Sequence, residues 1–420
     1  MEASSGRNIA VVGGGVAGIV AAHLLSKKHQ VTLFEKNDYI GGHTHTVDIP
    51  DGPDAGTPVD TGFIVHNDRT YPNFIKFITG LGVARVKCPM SFSYFDRRTG
   101  FQYSSSAPFA DRQNLFSVSF WRFLADILKF NRLTRKTLAQ EELGDMTMGQ
   151  YLNKNGFNQT FIRQYIIPMG AAIWSTPDHQ MMDFPAQTFA RFFENHGLLA
   201  LADQPQWYTI KGGSRSYVDA FVKNFSGKLF SNAPVLKISR EDEKIKLYLG
   251  SGEEIFDAVV IAAHADEAFE MIADPTPAEV KLLSPWQYTQ NRTVLHRDAA
   301  FLPPVARARA SWNYIRENDN SSVPPMTMTY YMNLLQDLKT RSEYCVTLNP
   351  ARPVTKSAMI AEFMYTHPQY SFDAIETQQD LDSLNGVRNT YFCGSYFRYG
   401  FHEDAVASAV NIGTKFGITL

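Results

Sequence analysis

Cysteine is scarce in this chain. Cys88, Cys345 and Cys393 are the three among 420 residues. They lie far apart and form no C-x-x-C, which excludes a disulfide-stapled scaffold and a cysteine zinc site and suits a reducing, cytoplasmic setting. No other metal-ligand pattern stands out. No run of about 20 apolar residues occurs, so the sequence offers nothing that spans a bilayer. Neither sign of charge dominates: 40 Lys and Arg face 42 Asp and Glu, a net charge of −2, which gives no overall pull toward nucleic acid. Repeats and low-complexity tracts are absent, and residues 1–7 read as a loose leader. What remains is ordinary for a globular enzyme: 44% apolar and 20% charged residues, in a length that suits two intertwined domains. Aromatics are somewhat rich, with 30 Phe and 19 Tyr, which suits either a large core or a large apolar pocket.

The strongest signal is at the beginning. Asn8-Ile9-Ala10-Val11-Val12 is an apolar strand. Gly13-Gly14-Gly15-Val16-Ala17-Gly18 is a glycine turn that opens a helix, and Val31-Thr32-Leu33-Phe34 is a second strand closed by Glu35. This is a βαβ unit for the ADP half of a dinucleotide. Gly13 allows the tight turn, Gly15 lets the backbone approach a pyrophosphate, and Gly18 lets helix and strand pack closely. The helix N-terminus directs free N–H groups and partial positive charge at the phosphates. Glu35 falls 17 residues after Gly18, near the spacing of an acid that receives hydrogen bonds from ribose hydroxyls, with Lys36 beside it.

A second glycine pair follows in Ile40-Gly41-Gly42-His43-Thr44, and then Asp60-Thr61-Gly62. Further along come Lys211-Gly212-Gly213-Ser214 before a helix at 217–221, and a strand at 234–238 carrying Val235, continued by a hairpin arm at 245–249. A buried strand at 257–264 reaches Ala263, a strand and turn at 390–395 hold Gly394 and Ser395, and a helix over 401–409 contains Asp404 and Ala405. In this order the chain resembles the flavoprotein superfamily of amine oxidases and phytoene desaturases. The resemblance implies an α/β fold: a GR2-type, Rossmann-like FAD-binding domain with a discontinuous α+β substrate domain. It assigns residues 8–75, 206–268 and 385–420 to the FAD-binding domain, and 76–205 and 269–384 to the substrate domain. It further implies non-covalent FAD, because Cys393 is not where covalent relatives carry their cysteine. The final helix would start under the flavin ring and stabilise negative charge on it when reduced. His43 and His45 flank the flavin loop.

Within the substrate pieces, the first reads as mostly helical, with helices at 146–152 and 158–165 and a small-residue stretch at 166–174. Trp174 and Pro168 there can wall a tunnel. The second reads as strand-rich, at 293–296, 310–314 and 326–331. Residues 112–136 mix Phe116, Phe120, Trp121, Phe123 and Phe130 with Arg122, Lys129, Arg132, Arg135 and Lys136. That reads either as a basic, aromatic amphipathic helix for a membrane surface or as a helix covering a core.

The lysine that many amine oxidases place near the flavin is missing at Arg292 or Thr293, and no aromatic pair for an amine is evident. Residues 40–46, 60–65, 330–336, 346–350 and 394–396 resemble more closely the flavoproteins fused to, or encoded beside, cyclopropane fatty acid synthases. That likeness implies an apolar substrate, an acyl chain on a phospholipid or a free fatty acid, and a methyltransferase-like or cyclopropane-synthase-like partner. Tyr330, Tyr331, His402 and Glu403 are the candidate bases. A flavin amine oxidase or carotenoid-type desaturase, and a non-catalytic flavoprotein subunit, stand as alternatives. Residues that hold FAD would be Gly13, Gly15, Val16, Ala17, Gly18, Glu35, Lys36, Gly41, Gly42, His43, Thr44, Thr61, Gly62, Val235, Ala263, Gly394, Ser395, Asp404 and Ala405.

Overall fold

The computed structural model describes residues 6–174, 180–200, 204–241, 243–317 and 327–420. Residues 1–5 of the expected leader and Met326, the first residue of one expected strand, lie outside the described residues. The opening unit forms strand Asn8–Val12, helix Val16–Leu25 and strand Gln30–Phe34. These strands join a five-stranded parallel sheet in the order Lys228–Phe230, Gln30–Phe34, Asn8–Val12, Ala258–Ile261, Thr390–Phe392. Side chains of the first strand alternate between two cores. Ile9 and Val11 pack with the first helix and the closing helix, while Ala10 and Val12 pack with Ile238, Ile245 and Leu247 of the hairpin arm. The closing helix, His402–Lys415, lies along the first. A Cβ on its Gly413 would come 2.8 Å from Leu24 Cδ1.

A second, mainly antiparallel sheet has seven strands in the order Met359–Pro368, Tyr288–His296, Cys345–Leu348, Met328–Tyr331, Trp312–Arg316, Phe92–Asp96, Gln102–Ser104. Trp312–Arg316 and Phe92–Asp96 run parallel, joining the later part of the chain to an earlier one. The segment read as mostly helical thus also supplies two strands at one edge. Phe92–Asp96 is buried along its whole length, so it lacks the period-two alternation that marks a half-exposed strand. The helical layer is as expected in kind. Helix Met148–Lys154 opens on a reciprocal Thr147–Gln150 cap, with Gln150 N–H donating to Thr147 Oγ1 at 3.1 Å and Thr147 N–H to Gln150 Oε1 at 3.0 Å. Near Pro168 the helix does not stop. A π-helical segment, Ile162–Ile166, runs straight into helix Ile167–Trp174; its wider turn carries the helix past Pro168, which has no N–H to donate. None of the helices described is long and apolar enough to cross a membrane.

Candidate functional site

One cavity of about 1450 Å³ runs from the edge of the parallel sheet to the inner face of the second sheet. Ordinary small-molecule pockets measure roughly 300–1,000 Å³, so this one has room for a large cofactor and a second ligand.

Its nucleotide half is made by the opening unit. Gly13, Gly15, Val16 and Ala17 line it at the N-terminus of the first helix. No acidic residue stands in that helix's first turn and no side chain caps it, so its free N–H groups and positive end are left for an anion. Gly13 turns at φ +105°, a left-handed value that favours glycine. A Cβ at Gly18 would lie 1.9 Å from the Gly13 carbonyl oxygen, whereas one at Gly15 would meet nothing within 4 Å. Gly18 is therefore a packing residue outside the cavity, and Gly15 borders open space that a ligand can enter. Glu35 is buried at the cavity wall. Its carboxylate accepts from Gly14 N–H at 2.6 Å and Asn37 N–H at 2.8 Å. Lys36, also on the wall, is paired with Glu267. Val235 and Ala263 complete this end.

Gly41, Gly42, His43 and Gly62 carry the wall toward the second sheet, and Gly394, Ser395, His402 and Ala405 close it from beside and under the closing helix. His43 is half-buried, with its Nε2 buried and without a hydrogen-bond partner. Its ring centroid lies 5.3 Å from that of His367 and 6.0 Å from that of His264, and both of these also line the cavity. Burial, then the neighbouring His367, His264 and His402, hold its pKa well below the usual imidazole range. His367 is pushed down to about 4, and His402 to about 3, in each case chiefly by burial. His402 stacks on Phe63 with centroids 3.6 Å apart, and its Nε2 lies 2.9 Å from the Tyr217 hydroxyl. His43, His367 and His402 are thus neutral at physiological pH, and burial lowers the His264 pKa as well. No group of three metal-capable side chains occurs among the described residues.

Several expected site residues support the wall without reaching the cavity. Thr44 Oγ1 bonds the Tyr217 hydroxyl. Thr61 Oγ1 lies 2.7 Å from the Tyr365 hydroxyl and donates to the His45 carbonyl oxygen at 3.1 Å. Asp404 accepts from Phe401 N–H at 2.9 Å, closing its own helix start, and burial raises its pKa to about 7. Two of the candidate bases do not line the cavity. Glu403 turns to the helix Pro72–Gly80 and accepts from the N–H groups of Asn73 at 3.0 Å and Phe74 at 2.9 Å. Tyr331 follows Tyr330 in a strand, so it faces the opposite side, where its hydroxyl donates to Glu343 at 3.2 Å. Tyr330 does line the cavity, edge-on to Trp312. Cys393 is buried and off the wall.

Sequence reading missed His264, His367, Phe63 and Tyr217. The strand expected to run to 264 stops at Ile261, and His264 stands at the N-cap of helix Ala265–Met271; nothing local marks it, because the cluster forms only when four distant segments meet. The remaining arm of the cavity is largely apolar and aromatic, with Ser91, Ser105, Ser106, His196 and Gln204 as polar members of its wall. Phe92, Tyr165, Met169, Ile173, Phe192 and Trp312 line it. Among the described residues, the wall contributed by positions 62–207 and 290–368 includes no Asp, Glu, Lys or Arg. Arg292 pairs instead with Glu362 outside the cavity, at 2.7 Å, and Thr293 is buried within its strand.

The nucleotide half fits the flavin dinucleotide implied by the motifs: open space at Gly15, an uncapped helix end, and an unpartnered buried nitrogen on His43. A family model described as flavin containing amine oxidoreductase matches residues 16–412. A CLA-producing fatty acid isomerase from P. acnes superposes with TM-score 0.70 at 16% identity, covering 99% of each chain. Cyclohexylamine oxidase from Brevibacterium oxydans IH-35A gives TM-score 0.69 at 15% identity, covering 98% of this chain and 100% of that one. A 1-hydroxycarotenoid 3,4-desaturase from Flavobacterium sp. (strain P99-3) is 50% identical over 40 residues, a match that spans 9% of this chain and only 8% of the relative's length.

Proposed function

The chain belongs to the flavin containing amine oxidoreductase family, and from that premise we propose that it is an FAD-dependent oxidoreductase acting on an apolar substrate, specifically an acyl chain. The observation that carries this reading is the uncharged arm of the cavity. An ammonium entering it would find no carboxylate among the described residues, and an unpaired buried charge is costly. A free carboxylate would find no cation either. A hydrocarbon segment loses nothing there and gains about 25 cal/mol per Å² of apolar surface removed from water. An acyl chain can thread the arm while its polar head stays outside.

When bound, FAD supplies a two-electron acceptor for hydride. The protein's own groups do the rest. Phe92, Trp312 and Phe192 exclude water and hold the chain. Tyr217 and Phe63 fix the His402 ring at the start of the closing helix, leaving a neutral imidazole on the wall. His402 is the candidate proton acceptor that remains on the wall; burial raises the Tyr330 pKa, so the Tyr330 hydroxyl stays protonated and can only donate. The fatty acid isomerase and the carotenoid desaturase act on long apolar molecules by their names, which supports the same substrate class. The likeness at positions 330–336 to flavoproteins encoded beside cyclopropane fatty acid synthases supports a modified acyl chain, delivered by a methyltransferase-like partner.

The test is anaerobic reduction. Protein loaded with FAD is mixed with phospholipid or fatty acid in one arm and with cyclic and aliphatic amines in the other. Bleaching of the flavin by lipid alone is the expected result. Bleaching by amines and not by lipid would assign an amine oxidase. Flavin that neither lipid, amine nor carotenoid reduces would point to a non-catalytic subunit. His402→Ala should keep FAD and slow the reduction, and unchanged single-turnover reduction would remove His402 from the mechanism.

A further inference from the structure

The helix Val118–Ala139 and the turn before it present a face that the cavity does not use. Phe120, Phe123, Ile127 and Phe130 point into the core. Positions 118, 121, 122, 125, 128, 132, 135 and 136 fall on the opposite side at helical spacing. The N-terminal end of that side is bare and apolar: Phe116 is 89% exposed, Val118 68%, Trp121 50% and Leu115 45%. Such a cluster of large side chains in water marks an interaction site. Beyond it the exposed Leu128 sits among cations, with Arg122, Arg132, Arg135 and Lys136 exposed and Arg112 exposed just before the helix. Arg135 is paired with Glu194 at 3.1 Å. Among the described residues, Arg112, Arg122, Arg132 and Lys136 have no carboxylate partner. Asp126 is the helix's one acid, and it is half-buried.

We propose that this face docks on an anionic phospholipid bilayer surface, with Phe116, Val118 and Trp121 inserted and the unpaired cations on the lipid phosphates. The charge pattern selects that occupant. A two-fold contact with a second copy would set the patch against itself, cation against cation. A bilayer interface offers apolar depth and negative charge side by side, the environment of basic amphipathic helices. The 22-residue helix is about 33 Å long, enough for the apolar end and the basic end to meet the surface together. Trp121 Nε1 donates to the Leu115 carbonyl oxygen at 3.1 Å, which ties the preceding turn to the helix and holds Phe116 outward. Behind the patch, successive ring contacts run from Trp121 through Phe109, Phe120 and Phe123 to Tyr165. Tyr165 is a wall residue of the apolar arm, so three successive rings connect the docked patch to that arm. The inference holds whether or not the acyl chain is the substrate.

Cosedimentation of the FAD-loaded full chain with vesicles tests it. Binding to phosphatidylcholine vesicles containing phosphatidylglycerol is expected, with about tenfold or more weaker binding to phosphatidylcholine alone. Raising the salt from 0.1 M toward 1 M, which shortens screening from about 10 Å to about 3 Å, should release the protein. Arg122→Glu with Arg132→Glu, and separately Phe116→Ser with Val118→Ser, should each abolish most of the binding. All four positions are exposed, so flavin content and circular dichroism should not change. Equal binding to neutral vesicles, unaltered binding by both double variants, or a concentration-dependent dimer that these variants dissolve would overturn the proposal.

Discussion

Gly15 and Gly18 answer the same substitution differently. A methyl group at Gly18 collides with the Gly13 backbone, and neither strand nor helix can give way without opening the core. Gly18→Ala should cost about 3 kcal/mol or more, read as a lowered unfolding midpoint even without FAD. Gly15→Ala projects its methyl into open cavity. Its unfolding midpoint without FAD should match the parent, while titration shows FAD binding roughly ten- to hundredfold weaker. Both glycines were legible in the sequence, because the turn, the close approach and the packing each demand glycine at a fixed spacing. His66 was not legible. It is fully buried, neither ring nitrogen has a partner, and burial pushes its pKa down to about 3. Below pH 6.5 the unfolded chain takes up a proton there that the folded chain refuses. The native state therefore loses stability as pH falls from about 6.5 toward 3, by about 2 kcal/mol at pH 5 from this residue alone. His66→Phe keeps the ring contacts with Phe74 and Tyr208 and removes that loss. Chemical unfolding at pH 7 and pH 5 should show a smaller gap in the variant.

At the scale of elements, the closing helix does two tasks that its sequence does not separate. His402 and Ala405 face the cavity, whereas Glu403 caps the helix Pro72–Gly80 across 329 positions of sequence separation from Phe74. His402 and Glu403 are adjacent in the chain, and helical rotation alone sends them to different neighbours. Glu403→Gln should therefore speed amide exchange over residues 72–80 and cost roughly 1 kcal/mol, with no change in single-turnover flavin reduction. A slowed reduction with unaltered exchange would restore Glu403 as a base. Asp60 plays a comparable part. Its carboxylate accepts from Thr46 Oγ1 at 2.6 Å, Ser214 N–H at 2.8 Å and Gln336 Nε2 at 3.1 Å, tying the two glycine segments to the second sheet. Asp60→Asn should cost roughly 2–3 kcal/mol. The strands and helices of the nucleotide half could be read locally because their periodicity is intact. Phe92–Asp96 could not, since a strand buried on both faces carries no alternation, and its partner Trp312–Arg316 is more than two hundred residues away.

For the whole molecule, the sequence foresaw the fold class and the cofactor but not the shape of the substrate arm. The dinucleotide motifs are short-range and each carries its own reason. The arm is assembled from positions 90–92, 165–207 and 312–330, and no single stretch of them differs from ordinary core sequence. The same spread couples cofactor and stability. FAD at 100 times its dissociation constant should stabilise the native state by about 2.7 kcal/mol, and a thermal-shift titration should raise one cooperative midpoint rather than split it.

The order of synthesis adds a consequence. Gly13 and Gly15 leave the ribosome almost four hundred residues before Gly394, Ser395, His402 and Ala405 of the same cavity. The closing helix also covers the first helix. Until residue 405 emerges, the nucleotide half is roofless and its core strand unsealed on one face. FAD should therefore be captured after translation of the closing helix, and a nascent chain stalled before residue 394 should pellet with chaperone and stay colourless.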